Sequence, residues 1–471
     1  MGRFKVVSLF SGAGGLDWGF KEAGFEIVLA NDILEPATLT YSRNFGLKLS
    51  SCRSQGSCVP MPGEVLLCDI EKMDLTEIKK HDIDVVIGGP PCQDFSIVRG
   101  PEAKRRGIKV KRGKLYAHFV RALAVLQPKV FVFENVPGLM SANGGLAYKT
   151  VIEDFQKLNL RWGEVRRDVQ VGNDTNNIHG YYLVHSGVVD FARFGVPQHR
   201  ERLIIIGVRA DLIKHNVRLL LEVRSRIEDV IAGRRWLFRK YPLTPIEVFE
   251  GKPLPDLQRE YAEVMRKWEG VWNDVGTQLA TKWKREVWDK LTMNIIRDYL
   301  TANGVDSSSE LELEEAWTEH RSVLEELKYL GRPVCSGSVT DGTCSQPADS
   351  VEVCERLRRI PPDENHEFVR GTKWEVEGRG ISLVYRRIHP LKPSYTIAAY
   401  GGGGTHGYHY DRDRTTLKLR EKARLQTFPD SFSFCGSRTE IRAQIGEAVP
   451  PLAGKRIAEA VEEILKMVEQ A

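Results

Sequence analysis

The sequence contains no unbroken apolar run of about 18 residues, the length that spans a bilayer, so no transmembrane helix is expected. Its opening, Met1-Gly2-Arg3-Phe4-Lys5, leads straight into a strand-like segment and has none of the apolar core of a secretory leader. Both absences predict a cytoplasmic protein with no membrane partner. Eight cysteines occur, at 52, 58, 68, 92, 335, 344, 354 and 435, but no Cys-x-x-Cys pair, so a structural zinc site is not expected and no metal ligands are assigned. Cys52 and Cys58 are close enough in sequence to bridge a short loop if the cell tolerates intracellular disulfides; free thiols are the default expectation. Neither charge dominates. The chain carries 68 Lys and Arg against 63 Asp and Glu, and a net charge of +5 does not by itself imply a nucleic-acid partner. Internal repeats and long low-complexity tracts are also lacking.

What is present is a chain of 471 residues, enough for two domains with sizeable cores. Near-continuous apolar runs at Val6 to Phe10, Ile27 to Ala30, Val65 to Leu67, Val85 to Ile87 and Val130 to Phe133 read as strands covered on both faces. Leu115, Phe119, Ala122, Leu123 and Leu126 recur at helical spacing between the last two. This alternation predicts a doubly wound, mostly parallel α/β domain. Tyr181 to Val189 and Leu203 to Val208 are expected as added edge strands. After about residue 212, charges and tryptophans intermix and helical patterns take over. Glu310 to Lys328 reads as an amphipathic helix, with Ser307 and Glu310 spaced as a capping box. The expected organisation is a first domain over 1–212, an inserted domain over 213–434, and a segment over 435–471 that returns to the first domain.

Chemistry-bearing residues collect at the carboxyl ends of the predicted strands, where open α/β sheets bind ligands. The first strand runs into Ser11-Gly12-Ala13-Gly14-Gly15. This loop lacks the Gly-Lys-Ser/Thr of a phosphate loop, so nucleoside triphosphate binding is disfavoured, but its glycines permit close approach of a ligand to the backbone. The next ends in Asn31-Asp32, a carboxylate placed to hold ribose hydroxyls. Asp69, Pro90-Pro91-Cys92 and Glu134-Asn135 end the others. Singly, each acid reads as a helix cap and Cys92 as a buried hydrophobe. Five such strand ends in register read as a site. Directly after Cys92, the stretch Arg99 to Lys114 carries eight basic residues against the single acid Glu102, with Gly100, Gly107 and Gly113 between them. Such a run is usually a solvated loop, but beside a nucleophile it also suits a polyanion clamp.

In this order the motifs resemble those of the DNA (cytosine-5) methyltransferase family. The resemblance rests on Phe10-Ser11-Gly12-Ala13-Gly14-Gly15, Gly89-Pro90-Pro91-Cys92-Gln93, Glu134-Asn135-Val136, Gln198-His199-Arg200-Glu201-Arg202, Arg420-Glu421-Lys422-Ala423-Arg424-Leu425-Gln426-Thr427-Phe428-Pro429-Asp430 and Gln444-Ile445-Gly446-Glu447-Ala448-Val449-Pro450. It is weakest over about 213–380, where target recognition is expected. Glu447 departs from the family pattern, which has Asn there.

The resemblance implies a class I S-adenosylmethionine-dependent methyltransferase fold with an inserted target-recognition domain. It implies a DNA (cytosine-5-)-methyltransferase that flips a cytosine out of a specific double-stranded DNA sequence and methylates its carbon 5 through a covalent Cys92 adduct. Glu134 is then the acid at ring N3, Arg202 the contact to the ring carbonyl and Arg200 its neighbour. Phe10, Gly12, Gly14, Asp32, Ile33, Asp69, Ile70, Pro90, Leu115 and Val449 are the implied cofactor positions. The expected setting is a monomeric prokaryotic modification enzyme associated with the nucleoid, with a cognate restriction endonuclease acting separately. A tRNA-directed relative is the first rival, disfavoured by the long insert. A catalytically dead DNA-binding protein is the second, disfavoured by the intact Cys92, Glu134 and Arg202.

Overall fold

The apolar runs of the first two hundred residues are strands of one sheet. The computed structural model describes residues 3–52, 58–91, 115–158, 178–213, 216–337, 339–376, 382–401 and 404–471. Its eight strands are β1 (Lys5–Leu9), β2 (Glu26–Asp32), β3 (Lys48–Ser51), β4 (Glu64–Leu67), β5 (Val85–Gly88), β6 (Val130–Asn135), β7 (Tyr181–Asp190) and β8 (Glu201–Arg209). They lie in the order β3-β4-β2-β1-β5-β6-β8-β7. Pairing is parallel from β3 through β6 and antiparallel for β6 with β8 and β8 with β7. Val6, Val7 and Leu9 of β1 and Val85, Val86 and Ile87 of β5 are wholly buried, the signature of a sheet covered on both faces. The helix Tyr116–Leu126 covers one face, where Phe119 meets Phe133 edge-on at 5.3 Å and Phe155 at 6.0 Å.

One expectation about the edges needs correction. Leu203 to Val208 lies inside β8, which sits between β6 and β7 rather than at an edge. The opposite edge is β3, whose sequence Lys-Leu-Ser-Ser carries too little apolar signal to read as a strand. The helix Glu310–Glu326 forms, but Ser309 caps it, accepting from the Glu312 N–H at 3.1 Å, rather than Ser307.

Chain contacts divide the molecule into two units. One comprises Met1–Phe191, Arg200–Arg235 and Ala453–Ala471; the other comprises Ala192–His199 and Trp236–Leu452. The chain passes from the first unit to the second after Arg235 and returns at Ala453. Helix Pro451–Glu469 brings the chain back into the first unit. There Gly454 lies so close to Leu16 that a Cβ would stand 2.8 Å from the Leu16 carbonyl oxygen, and Lys129 pairs with Glu469 at 2.7 Å. Among the described residues no helix is long and apolar enough to cross a membrane.

Cysteine pairing departs from the expectation of free thiols and from the Cys52–Cys58 alternative. Cys52 is bonded to Cys68, and Cys335 to Cys344. The first pairing follows from strand register: Ser51 of β3 lies opposite Leu67 of β4, so the next residues, Cys52 and Cys68, meet. The second bridge encloses Asp341 and Thr343, which hold the buried guanidinium of Arg420 at 2.6 and 3.0 Å.

The second unit is built around buried polar anchors. Arg424 donates to the carbonyls of Val248 and Arg332 and pairs with Asp430. Glu247, wholly buried, accepts from Thr244 N (3.1 Å), Thr244 Oγ1 (2.8 Å) and Leu254 N (2.9 Å). Its Oε1 also lies 2.8 Å from His320 Nδ1, while His320 Nε2 lies 2.9 Å from the Tyr241 carbonyl. Both ring nitrogens face acceptors, an arrangement that favours the doubly protonated imidazole. Burial alone pulls the His320 pKa down, but Glu247 and the Tyr241 carbonyl outweigh it, and the net shift is upward. A raised histidine stabilises the fold fully below its unfolded pKa of about 6.5, and this contribution is lost as pH rises through the folded value. Urea unfolding followed against pH is therefore expected to show stability falling above neutrality. Glu247→Gln should flatten that decline, and Glu247→Ala should cost about 3–5 kcal/mol. The same pH slope in Glu247→Gln and the parent would remove the ion pair from this role.

Candidate active site

In this sheet the strand order reverses between β1 and β5, and the crevice outside the carboxyl ends of those two strands is where open α/β sheets place ligands. The loop after β1 is bent by positive φ at Phe10 (55°), Gly12 (55°) and Gly14 (90°). Gly14 admits no side chain, because a Cβ there would stand 2.6 Å from the Phe45 ring and 2.8 Å from Tyr41. Tyr41 is itself fixed by donating to Asp17 Oδ1 at 2.7 Å; burial raises the Asp17 carboxyl to about 6. Gly12, by contrast, has no atom within 4 Å of where its Cβ would be, an open face beside the backbone.

Asp32 closes β2 and links it to this loop. Its Oδ2 accepts from Gly12 N at 2.8 Å and its Oδ1 from Leu34 N at 2.9 Å. Desolvation raises its pKa in spite of these backbone donors. A carboxylate has about four lone-pair sites, so both oxygens keep capacity for ligand hydroxyls. Next to it Ile33 is 62% exposed, an apolar side chain standing in the open. Open Gly12, anchored Asp32 and exposed Ile33 fit the ribose and base of an adenosine-type cofactor. Asp69 caps the short helix Ile70–Lys72 through Glu71 N at 3.1 Å. Ile70 lies in the hydrophobic core, against which Phe10 and Leu115 also pack. Val449 is buried and belongs to the second unit.

The ends of β5 and β6 form the second half of the site. Gly88 pairs with Phe133 in parallel register, which sets Gly89 beside Glu134 and Pro90 beside Asn135. A Cβ on Gly89 would stand 2.5 Å from Glu134 Oε2. Asn135 Nδ2 donates to the Pro90 carbonyl at 3.2 Å. Across the antiparallel β6–β8 pair Glu134 lies opposite Ile204, so Arg202, two residues away, projects from the same face. Its Nε meets Glu134 Oε1 at 3.0 Å. Arg200 is fully buried, and its backbone N–H donates to Asp190 at 3.0 Å.

Burial raises the Glu134 pKa, and Arg202 and Arg200 offset part of the rise. The same burial lowers Arg202, while Glu134 pulls it back up. The site therefore holds a carboxyl group with a raised pKa beside a guanidinium. Pro90 and Pro91 lead from it toward Cys92. Cys92 and the basic stretch Arg99 to Lys114 lie outside the described residues. Glu447 is exposed at the end of helix Arg438–Glu447.

Sequence reasoning gave Gly89 no role beyond its place in the motif, and it missed Asp17 and Tyr41. The Gly88-Gly89 pair ahead of Pro90-Pro91 was a usable signal for the first. Nothing local pointed to the others, which act through packing. Gln198 proves to be an internal tie of the second unit: it accepts from Ile397 N at 2.8 Å and donates to Gln426 Oε1 at 3.0 Å.

Residues 4–463 match the family model described as C-5 cytosine-specific DNA methylase. The chain is 62% identical to the DNA (cytosine-5-)-methyltransferase M.ApeKI of Aeropyrum pernix, over 99% of this chain and all of that protein. It is 32% identical to the type II methyltransferase M.NgoFVII of Neisseria gonorrhoeae, over 97% of this chain and 86% of the relative. Among solved structures, a prophage-encoded DNA modification methyltransferase of E. coli shares the fold, with a TM-score of 0.53 and 22% identity over 98% of this chain and 99% of the other. With a match over nearly its whole length and a relative of this identity, the chain belongs to the C-5 cytosine-specific DNA methylase family.

Proposed function

We propose that this chain methylates carbon 5 of a flipped-out cytosine within a specific double-stranded DNA sequence, as the modification enzyme of a type II restriction system. The observation that carries this reading is the Glu134–Arg202 pair at 3.0 Å, seated against Gly89 immediately before Pro90-Pro91-Cys92. Carbon 5 of cytosine becomes nucleophilic only after a thiolate adds to carbon 6 and ring N3 takes up the resulting charge. In the proposed arrangement Cys92 supplies the thiolate. Glu134, its pKa raised by burial, presents a proton to N3. Arg202 holds the carboxyl in place and directs its remaining N–H groups to the ring carbonyl, while Arg200 supports the positive field. S-adenosylmethionine supplies the methyl group. Asp32 would hold its ribose and the open backbone at Gly12 would admit it closely, with Phe10, Gly14, Ile33, Asp69, Pro90 and Leu115 around it. The unit containing Trp236–Leu452 would read the bases, and the basic stretch after Cys92 would meet the phosphates. A target buried in a duplex has to leave the stack before any of this chemistry can begin.

A duplex carrying 5-fluorocytosine at the target should be trapped covalently only in the presence of S-adenosylmethionine, because fluorine cannot depart as a cation from the methylated adduct. Cys92→Ser should abolish trapping while leaving cofactor binding intact. A denaturing gel that showed trapping of tRNA alone, or of scrambled duplexes equally, would overturn the reading. Asp32→Ala should weaken S-adenosylmethionine binding by about 1–3 kcal/mol; an unchanged dissociation constant by calorimetry would reduce Asp32 to a loop anchor. Gly89→Ala should displace the Glu134 carboxyl and lower the methyl-transfer rate by about 100-fold. Its cofactor affinity should stay near that of the parent. Wild-type turnover in this variant would mean that the Glu134 position is not critical.

A further inference from the structure

Among the described residues, one group of thiol side chains is close enough to share an ion: the sulfurs of Cys52, Cys58 and Cys68 all lie within 4.8 Å of one another. They arrive by three separate routes. Cys52 follows β3 and Cys68 follows β4. Cys58 is held by a backbone bridge to Met73, its N–H donating to the Lys72 carbonyl at 2.8 Å and its carbonyl accepting from Asp74 N at 2.7 Å. The three positions therefore do not depend on the Cys52–Cys68 bond, and opening it leaves three thiols facing one another.

Thiolates around a tetrahedral zinc ion, each at about 2.3 Å, stand roughly 3.8 Å apart. Once their bond is opened, the Cys52 and Cys68 sulfurs, 2.03 Å apart, reach that spacing by separating about 1.8 Å, and the Cys58 sulfur by closing in by up to about 1 Å. Three soft thiolates favour a closed-shell ion such as zinc over hard cations. Cys68 is buried, whereas Cys52 and Cys58 are partly exposed, which gives an ion a way in.

We propose that Cys52, Cys58 and Cys68 form a three-thiolate zinc site in the reduced protein, and that the Cys52–Cys68 disulfide is its oxidised, metal-free counterpart. The exchange balances with a dithiol reductant. The dithiol gives two electrons and two protons to the disulfide and becomes a disulfide itself. Zinc then replaces the three S–H protons with three S–Zn bonds, a water completing the tetrahedron. Either state ties the end of β3 to the end of β4, where Asp69 follows Cys68. The edge of the sheet beside the proposed cofactor pocket is thus clamped in both oxidising and reducing surroundings.

The test uses full-length protein, reduced with a dithiol and freed of it without oxygen, then titrated with cadmium. Sulfur-to-cadmium charge-transfer absorbance should saturate with one ion per chain at the strength of three thiolates. Cys58→Ser should weaken binding by about 100-fold or more, whereas Cys335→Ser/Cys344→Ser should leave it unchanged. No charge-transfer band in the reduced protein, or equal binding in Cys58→Ser, would overturn the proposal. A second measurement does not depend on folding of a variant. Added zinc should protect Cys52, Cys58 and Cys68 together from alkylation, read by peptide mass, and leave Cys354 and Cys435 open. Alkylation of Cys58 at the same rate with and without zinc would refute the site.

Discussion

The Glu134 carboxylate can stand where it does only because residue 89 has no side chain. Parallel register between β5 and β6 brings these positions together, and a Cβ on Gly89 would collide with Oε2 at 2.5 Å. The antiparallel turn of β8 against β6 then brings Arg202 to the other carboxylate oxygen. Burial and the guanidinium act oppositely on the acid: desolvation favours its protonated form and the cation its ionised form. Desolvation prevails, so the carboxyl pKa is raised, and the guanidinium holds the group in place. The mixed sheet is what makes this possible. A wholly parallel sheet would not run β8 back along β6 with Arg202 on the face of Glu134.

The cofactor side of the crevice depends on a different economy of side chains. Gly12 and Gly14 both lie at positive φ, but for opposite reasons. At Gly14 the space is filled by Tyr41 and Phe45, which brace the loop from beneath; at Gly12 it is open. Asp32 joins the two halves by accepting the Gly12 N–H while keeping lone pairs for a ligand. Several other motif residues serve the architecture of the second unit. Arg420 and Arg424 spend their guanidiniums on buried carbonyls and on Asp341 and Asp430. Gln198 ties segments of the second unit almost 230 residues apart in sequence. A motif can thus be diagnostic of a family because the fold needs it, without any of its side chains touching a substrate.

Much of this was legible in the sequence, and the reason is local. A strand covered on both faces must be apolar throughout, so β1, β2, β4, β5 and β6 announce themselves without knowledge of their neighbours. The glycine loop, Asp32, Pro-Pro-Cys92 and Glu134 are visible because chemistry in such a sheet collects at strand ends. Edge strand β3 escaped because Lys-Leu-Ser-Ser, half solvated, needs no apolar run. The cap of helix Glu310–Glu326 slipped by two residues because Ser307, Ser308 and Ser309 offer the same hydroxyl.

What the sequence by itself determined is the set of groups and the strand that carries each of them. What only the tertiary structure decided is which of them meet. Distance along the chain pairs Cys52 with Cys58, but register pairs it with Cys68, because Ser51 already lies opposite Leu67. Glu134 meets Gly89 and Arg202 for the same reason, through hydrogen-bonded ladders to strands 45 and 68 residues away. Register is a property of the whole sheet: a slip of one residue would turn every side chain of a strand to the opposite face. No single segment encodes it, and so the contacts that build the site appear only when all the strands are in place.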